Sequence, residues 1–379
     1  MGLPHNSLLK ANWTLIRLFI AQADRLSFIP FSKVYLLIFF NMSKIALKTN
    51  LQIGIVPTHI KFVGGLVPDE NGKMPRGQDG KMLISTELEQ INQTSRIAPN
   101  CAQTAVFPGT DEDDMNELIE DIKSLGLKPH MIMMVAGGNP MDPADEDKIV
   151  PSLVAGLEVA KKHGVEHVAS TSFEEWMKPG AATLTGSAFE DAVAQLVKLH
   201  TRVCHEVDIL NSSVKAWHME FLRGTEFQTF TDISKAWTFV KAANAAIGKP
   251  FFKVLVDAAH CGDSILSMEE NVAVIQEMGK ADGFSMFHAS AKTTRGCLST
   301  DDGWIGNLLT ACAATGKLEI VLVELFHHED AALAGLREAD PRHGIDTTDG
   351  RTYSETVCDG LEEIAHRLNN LVNRSILPR

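Results

Sequence analysis

From residue 51 onward, short β-branched or apolar runs alternate with longer stretches whose apolar positions recur at helical spacing. The runs occupy 51–57, 101–107, 130–135, 166–171, 214–221, 252–259, 283–290 and 318–326. Strand-like runs separated by helix patterns predict repeated βα units and a parallel sheet. The helices announce themselves at both ends. Thr110-Asp111-Glu112-Asp113-Asp114 crowds carboxylates into a first turn, where they favour the positive end of the helix dipole. Leu118, Ile119, Ile122 and Leu125 then share one face, and Gly126 closes the helix. Similar patterns predict helices over 144–163, 187–210, 232–247, 267–279, 303–315 and 353–373, with a weaker one over 85–97.

Eight strands, each followed by a helix, is the count of an α/β fold of the (β/α)8 or TIM barrel type. A doubly wound open sheet is the alternative, but no GxGxxG follows the first strand, where a dinucleotide site would need it. Gly64-Gly65 and Gly137-Gly138 read as turn glycines. Three βα loops are long: 58–84 after strand one, 172–186 after strand four and 327–352 after strand eight. In a barrel all three rise on the C-terminal face, where active sites lie. No second domain boundary interrupts the pattern, so residues 42–379 read as a single barrel domain. Residues 1–41 differ in kind: rich in Leu, Ile and Phe, they hold one acidic residue, Asp24. Their apolar run, 28–40, is interrupted by Pro30, Ser32 and Lys33 and is short for a membrane span. No signal-type cleavage site follows it. The segment reads as a non-domain extension, disordered or arising from a start codon placed too far upstream, with an anchor or targeting segment as the alternative.

Composition narrows the partners. Of 379 residues, 45% are hydrophobic and 22% charged, the balance of a soluble globular chain able to bury a large core without disulfides or a structural metal. The formal charge of −13, with no Lys/Arg run, argues against nucleic acid, whose binding needs a local excess of positive charge. The six cysteines are dispersed without a CxxC pair, as expected of free thiols in a reducing compartment. The expected location is the cytoplasm, without stable membrane association; assembly into a homo-oligomer is left open.

The chemistry concentrates at the ends of strands five to eight. They read Ala216-Trp217-His218-Met219-Glu220, then Val254-Leu255-Val256-Asp257-Ala258-Ala259-His260, Phe284-Ser285-Met286-Phe287-His288 and Ile320-Val321-Leu322-Val323-Glu324. A carboxylate or imidazole ending an apolar strand is costly to bury unless it is paired or coordinated. Four such residues in succession point to a shared cation held by Glu220, Asp257, His288 and Glu324. Three carboxylates and one imidazole suit Mn²⁺ best, with Mg²⁺, Co²⁺ and Zn²⁺ as alternatives. His260, three residues beyond Asp257, and Arg295, seven beyond His288, are placed to hold substrate hydroxyls or an oxyanion. His59, after strand one, is a further candidate substrate contact. Trp176 and Trp304 are candidate walls for a sugar ring. The loop residues His327, His328 and Glu329 read as solvated or substrate-facing rather than as a second metal site.

This ordered set resembles the xylose isomerase-like TIM barrels, and within them the D-tagatose and D-psicose (allulose) 3-epimerase group. That group's Glu, Asp, His and Glu ligands are matched here by Glu220, Asp257, His288 and Glu324. Its Asp-x-x-His is present as Asp257-Ala258-Ala259-His260, whose His contacts substrate, and its following Arg looks like Arg295, displaced by about one residue. The resemblance covers roughly 51–326. It implies a divalent-metal-dependent epimerase or isomerase acting on a small carbohydrate, a keto-sugar or a sugar acid. Glu220 and Glu324 would then be the catalytic pair, one removing the proton next to the carbonyl and the other returning it through an enediolate. A lyase on a keto-sugar is the nearest alternative. An endonuclease IV-like phosphodiesterase is a further one, against which the scarcity of positive charge counts. The loops 58–84 and 327–352 are longer than a minimal epimerase requires, so substrate choice is left open.

Overall fold

The computed structural model describes residues 44–57, 68–178, 180–224, 226–291, 303–325, 338 and 352–379. Its strands are β1 (Gln52–Val56), β2 (Cys101–Val106), β3 (Lys128–Met133), β4 (His167–Ser170), β5 (Ala216–Met219), β6 (Phe252–Val254), β7 (Val256–Asp257), β8 (Met286–Ala289) and β9 (Ile320–Glu324). All pair in parallel, in the order β6-β5-β4-β3-β2-β1-β9-β8-β7. β6 and β7 are two halves of one extended run broken at Leu255. The first half pairs with β5 and the second with β8. The Leu255 N–H still donates to the Met219 carbonyl at 3.0 Å, so this one run joins the two ends of the sheet. The predicted eight staves and the α/β barrel are therefore present.

Helices follow the strands: α1 (Leu83–Thr94), α2 (Glu112–Ser124), α3 (Glu146–Lys162), α4 (Gly186–Val207), α5 (Ile233–Ile247), α6 (Ala258–Asp263), α7 (Met268–Lys280), α8 (Trp304–Ala314) and α9 (Tyr353–Asn373). Their ends carry the chemistry read from the sequence. Asp111 caps α2 by accepting the N–H groups of Asp113 and Asp114, and Gly248 ends α5 at φ +75°. Ser267 with Glu270, and Thr352 with Glu355, form reciprocal capping boxes on α7 and α9.

Strand alternation sorts side chains into two layers. Ile53, Ile55, Trp217, Phe252, Val321 and Val323 belong to the large cluster between sheet and helices. Val56, Cys101, Ile132, Ala169, Leu255, Met286, Ile320 and Leu322 form a separate cluster inside the barrel. Gly54 lets β1 approach β2 closely: an added Cβ would sit 2.1 Å from the Cys101 carbonyl oxygen, so no larger residue fits.

One boundary differs from the sequence expectation for a clear physical reason. The sixth strand was expected to run to residue 259, but it ends at Asp257, whose carboxylate accepts the His260 N–H at 2.6 Å and starts α6. An Asp at an N-cap overrides an apolar run. The fifth strand stops at Met219, two residues short of the expected 221. Cys101, Cys204, Cys261 and Cys312 are free and buried, and Cys358 is free and half-buried; Cys297 lies outside the described residues. So do residues 1–41, on which the expected extension falls, and most of the loop 327–352. No described helix is long and apolar enough to cross a membrane.

Candidate metal centre

Four inward-facing side chains from four neighbouring staves meet at the C-terminal mouth. Glu220 follows β5, Asp257 ends β7, His288 lies in β8 and Glu324 ends β9. One donor atom from each lies within 4.8 Å of the others, and all four residues are buried. The local sequence explains the convergence: each residue lies at or just past the C-terminal end of a buried, mostly apolar strand, so the strand's pairing register fixes its height. Asp257 and His288 are direct register partners, as are Leu322 and His288 one layer below Glu324.

The electrostatics are those of a site short of positive charge. His288 Nδ1 lies 3.3 Å from Glu324 Oε2 and 3.5 Å from Glu220 Oε1. Burial opposes a charged ring there, but the Glu324 and Glu220 carboxylates outweigh it and raise His288 to about 10. Burial likewise works against an ionised Glu220, but His260 and His288 hold its carboxyl down at about 2. Three ionised carboxylates around a neutral, metal-ligating imidazole would carry three negative charges, two of which a divalent cation offsets. Buried acidic groups at this spacing are costly without such compensation. The donor set thus fits a divalent ion that accepts oxygen and imidazole ligands.

His260 stands beside this set, its Nε2 3.5 Å from Glu220 Oε1 and 3.9 Å from Asp257 Oδ1. The Asp257 cap places it: the turn that the Asp257 carboxylate begins carries His260 back over the mouth. Arg295 and His59 lie outside the described residues, as do His327, His328 and Glu329. Trp304, the first residue of α8, packs half-buried against the large core cluster.

No family model and no curated protein matches the chain. Solved structures do. D-allulose 3-epimerase from Methylomonas sp. superposes with a TM-score of 0.61 at 13% identity, over 85% of this chain and 100% of that one. The likeness is one of fold. An L-ribulose 3-epimerase gives a TM-score of 0.61 at 14% identity, covering 86% of this chain and 97% of its own. A sugar phosphate isomerase/epimerase from Anabaena variabilis, itself described as putative, gives 0.64 at 15%, over 85% and 99%. The chain thus shares the barrel of the sugar epimerases and isomerases over nearly their full length.

Around the ligands the β4–α4 and β5–α5 loops form one rim. Glu174 accepts the N–H groups of Gln228, Thr229 and Phe230 at 3.1, 2.9 and 2.7 Å, and Phe173 stacks on Phe230 at 4.4 Å. Trp176 donates its indole N–H to Glu226 at 3.2 Å and is 38% exposed on that rim. Arg223 pairs with Asp263 at 3.3 Å and ties the rim to α6. Sequence reading singled out Trp176 but neither Glu174 nor Glu226; acidic residues in loops carry no signal until their partners are known.

Proposed function

We propose that the protein is a divalent-metal-dependent sugar epimerase or isomerase of the xylose isomerase-like kind. The carrying observation is the buried Glu220–Asp257–His288–Glu324 set at the C-terminal mouth of a barrel shared with sugar 3-epimerases. When bound, the ion, Mn²⁺ by preference, supplies Lewis-acid polarisation of the substrate's carbonyl and adjacent hydroxyl. Glu220, Asp257, His288 and Glu324 would hold it. Glu220 and Glu324 come from β5 and β9, staves that are not neighbours in the sheet. Each can therefore address a different side of a substrate seated between them, one taking the proton next to the carbonyl and the other delivering it. His260, beside Glu220, is the polar contact for the oxyanion that develops as the proton leaves. Arg295, on the resemblance, and His59, on its place after the first strand, are proposed as further substrate contacts. The substrate is a small carbohydrate: a keto-sugar, a sugar acid or a keto-glycoside.

Proton exchange tests this reading whichever sugar is the natural one. Mn²⁺-loaded protein is incubated in D₂O with a panel of ketoses, sugar acids and 3-keto-glycosides, and the recovered sugars are analysed by mass spectrometry and NMR. The expected result is metal-dependent turnover with deuterium at the carbon next to the carbonyl. Turnover with no deuterium incorporated would refute proton transfer by two glutamates in favour of a hydride shift.

A further inference from the structure

Gln103 is fully buried inside the barrel, in the middle of β2, and takes no part in the donor set. Its side chain crosses the interior to β8, where it meets two residues at once. Its Nε2 lies 3.3 Å from Met286 Sδ, and its Oε1 lies 2.9 Å from His288 Nε2. The two contacts fix each other. A thioether sulfur can only accept a hydrogen bond, so the amide must turn its NH₂ toward Met286. That leaves the amide oxygen toward His288, and an amide oxygen can only accept. His288 must therefore carry a hydrogen on Nε2, and its other nitrogen, Nδ1, is the one that faces Glu220 and Glu324.

We infer that Gln103 is a positioning residue for the metal centre: it fixes the tautomer and ring plane of His288 so that Nδ1, rather than Nε2, is the donor. The inference rests on the metal reading of the site and adds to it a residue from the opposite side of the barrel. A metal-bound imidazole is commonly oriented through its second nitrogen, and loss of such a partner costs about 10–100-fold in affinity. Here the partner is a neutral amide held by a sulfur. Met286 and His288 sit on the same face of the same strand, two residues apart, so the strand itself keeps the sulfur and the ring in step. Burial makes the arrangement stringent, because no bulk water replaces the amide oxygen if it is removed.

The test compares wild type with Gln103→Met, which keeps the length but deletes the acceptor, and with Gln103→Glu, which when protonated offers a carbonyl to His288 and an O–H to Met286. Mn²⁺ affinity is measured by the electron paramagnetic resonance of the free ion. In the Co²⁺-loaded protein, the paramagnetically shifted imidazole N–H of His288 is followed by proton NMR during exchange into D₂O. The expected result is Mn²⁺ binding weakened about 10–100-fold in Gln103→Met, with faster exchange of the N–H. Gln103→Glu should recover both to near wild type. Equal affinity and equal exchange in Gln103→Met overturn the inference, and so does an equal loss in both variants, which would assign Gln103 to packing. If Gln103→Met does not fold, Met286→Leu carries the test: it frees the amide to turn, the N–H must exchange faster, and unchanged exchange overturns the inference. Wild-type protein that binds no Co²⁺ would instead overturn the metal reading itself, and this inference with it.

Discussion

Two levels of the barrel interior hold histidines in opposite states. At the mouth, His288 lies among carboxylates and is raised to about 10. Nearer the N-terminal ends of the strands, His130 and His167 are also buried, but the carboxylate nearest His167, Glu319 at 3.7 Å, is itself exposed and not buried beside the ring. Burial lowers His130 to about 3, with His167 and Lys128 adding to the effect, and lowers His167 to about 4 although Glu166 opposes it. The hydrogen bonds of the lower rings are to neutral partners: His130 Nε2 with Gln52 at 2.9 Å, and His167 Nδ1 with His218 Nε2 at 3.1 Å. His130 and His167 also meet edge to face, with ring centroids 5.4 Å apart. The same side chain in the same barrel is charged at one level and neutral at another. What differs is the carboxylates that end β7 and β9 and follow β5. Burial alone makes a histidine a core residue; burial beside paired carboxylates makes it a candidate ligand.

Removing those carboxylates should erase the contrast, and with it the activity. Glu220→Gln and Glu324→Gln keep the size of the side chain and delete its charge. Each is expected to lower turnover by roughly 10²–10⁴-fold and to reduce the metal bound per protein. Turnover on the responding sugar and metal content by elemental analysis check both. Full activity in either variant would show that the proton-transfer pair lies elsewhere.

A second effect concerns protons at the mouth. In the metal-free site His288 holds its extra proton at any pH below about 10, and a metal can take Nδ1 only by displacing it. Uptake of Mn²⁺ should therefore release a proton, and apparent affinity should fall roughly tenfold for each pH unit lowered. Titrations at pH 8, 7 and 6 measure this slope, and a weakly buffered solution reports the proton directly. A pH-independent affinity would mean that His288 enters the metal-free state neutral, and the contrast with His130 and His167 would fail.

The sequence made one level of this interior readable and left the other obscure. Glu220, Asp257, His288 and Glu324 stood out because each comes at the end of a mostly apolar strand, and because four such endings follow one another. The barrel was legible for a similar reason, through eight apolar runs spaced by helix patterns. Gln103, His130 and His167 lie within or at the start of their strands. One polar residue there looks the same whether it meets a partner across the barrel or a helix outside it, and only the closed sheet shows which. The Asp257 cap was misread because Ala258-Ala259 continues an apolar run while a single side-chain oxygen turns the backbone.

The smallest effect expected is on stability, and it isolates the lower level. His130 is held neutral well below its ordinary value of about 6.5. As pH falls below that value the unfolded chain takes up a proton that the folded chain refuses. Stability is thus complete above about pH 6.5 and is lost progressively as pH falls toward 3, the sign of a group whose folded value is depressed. At pH 5 the loss for one such histidine is about 2 kcal/mol. His130→Gln keeps a polar group within reach of Gln52 and cannot titrate, so the variant should lose about 2 kcal/mol less than wild type between pH 7 and pH 5. Urea unfolding of metal-free protein at both pH values measures the difference. If variant and wild type share the same pH slope, His130 takes up its proton in the fold as readily as in the unfolded chain, and the two levels of the barrel do not differ in the way proposed.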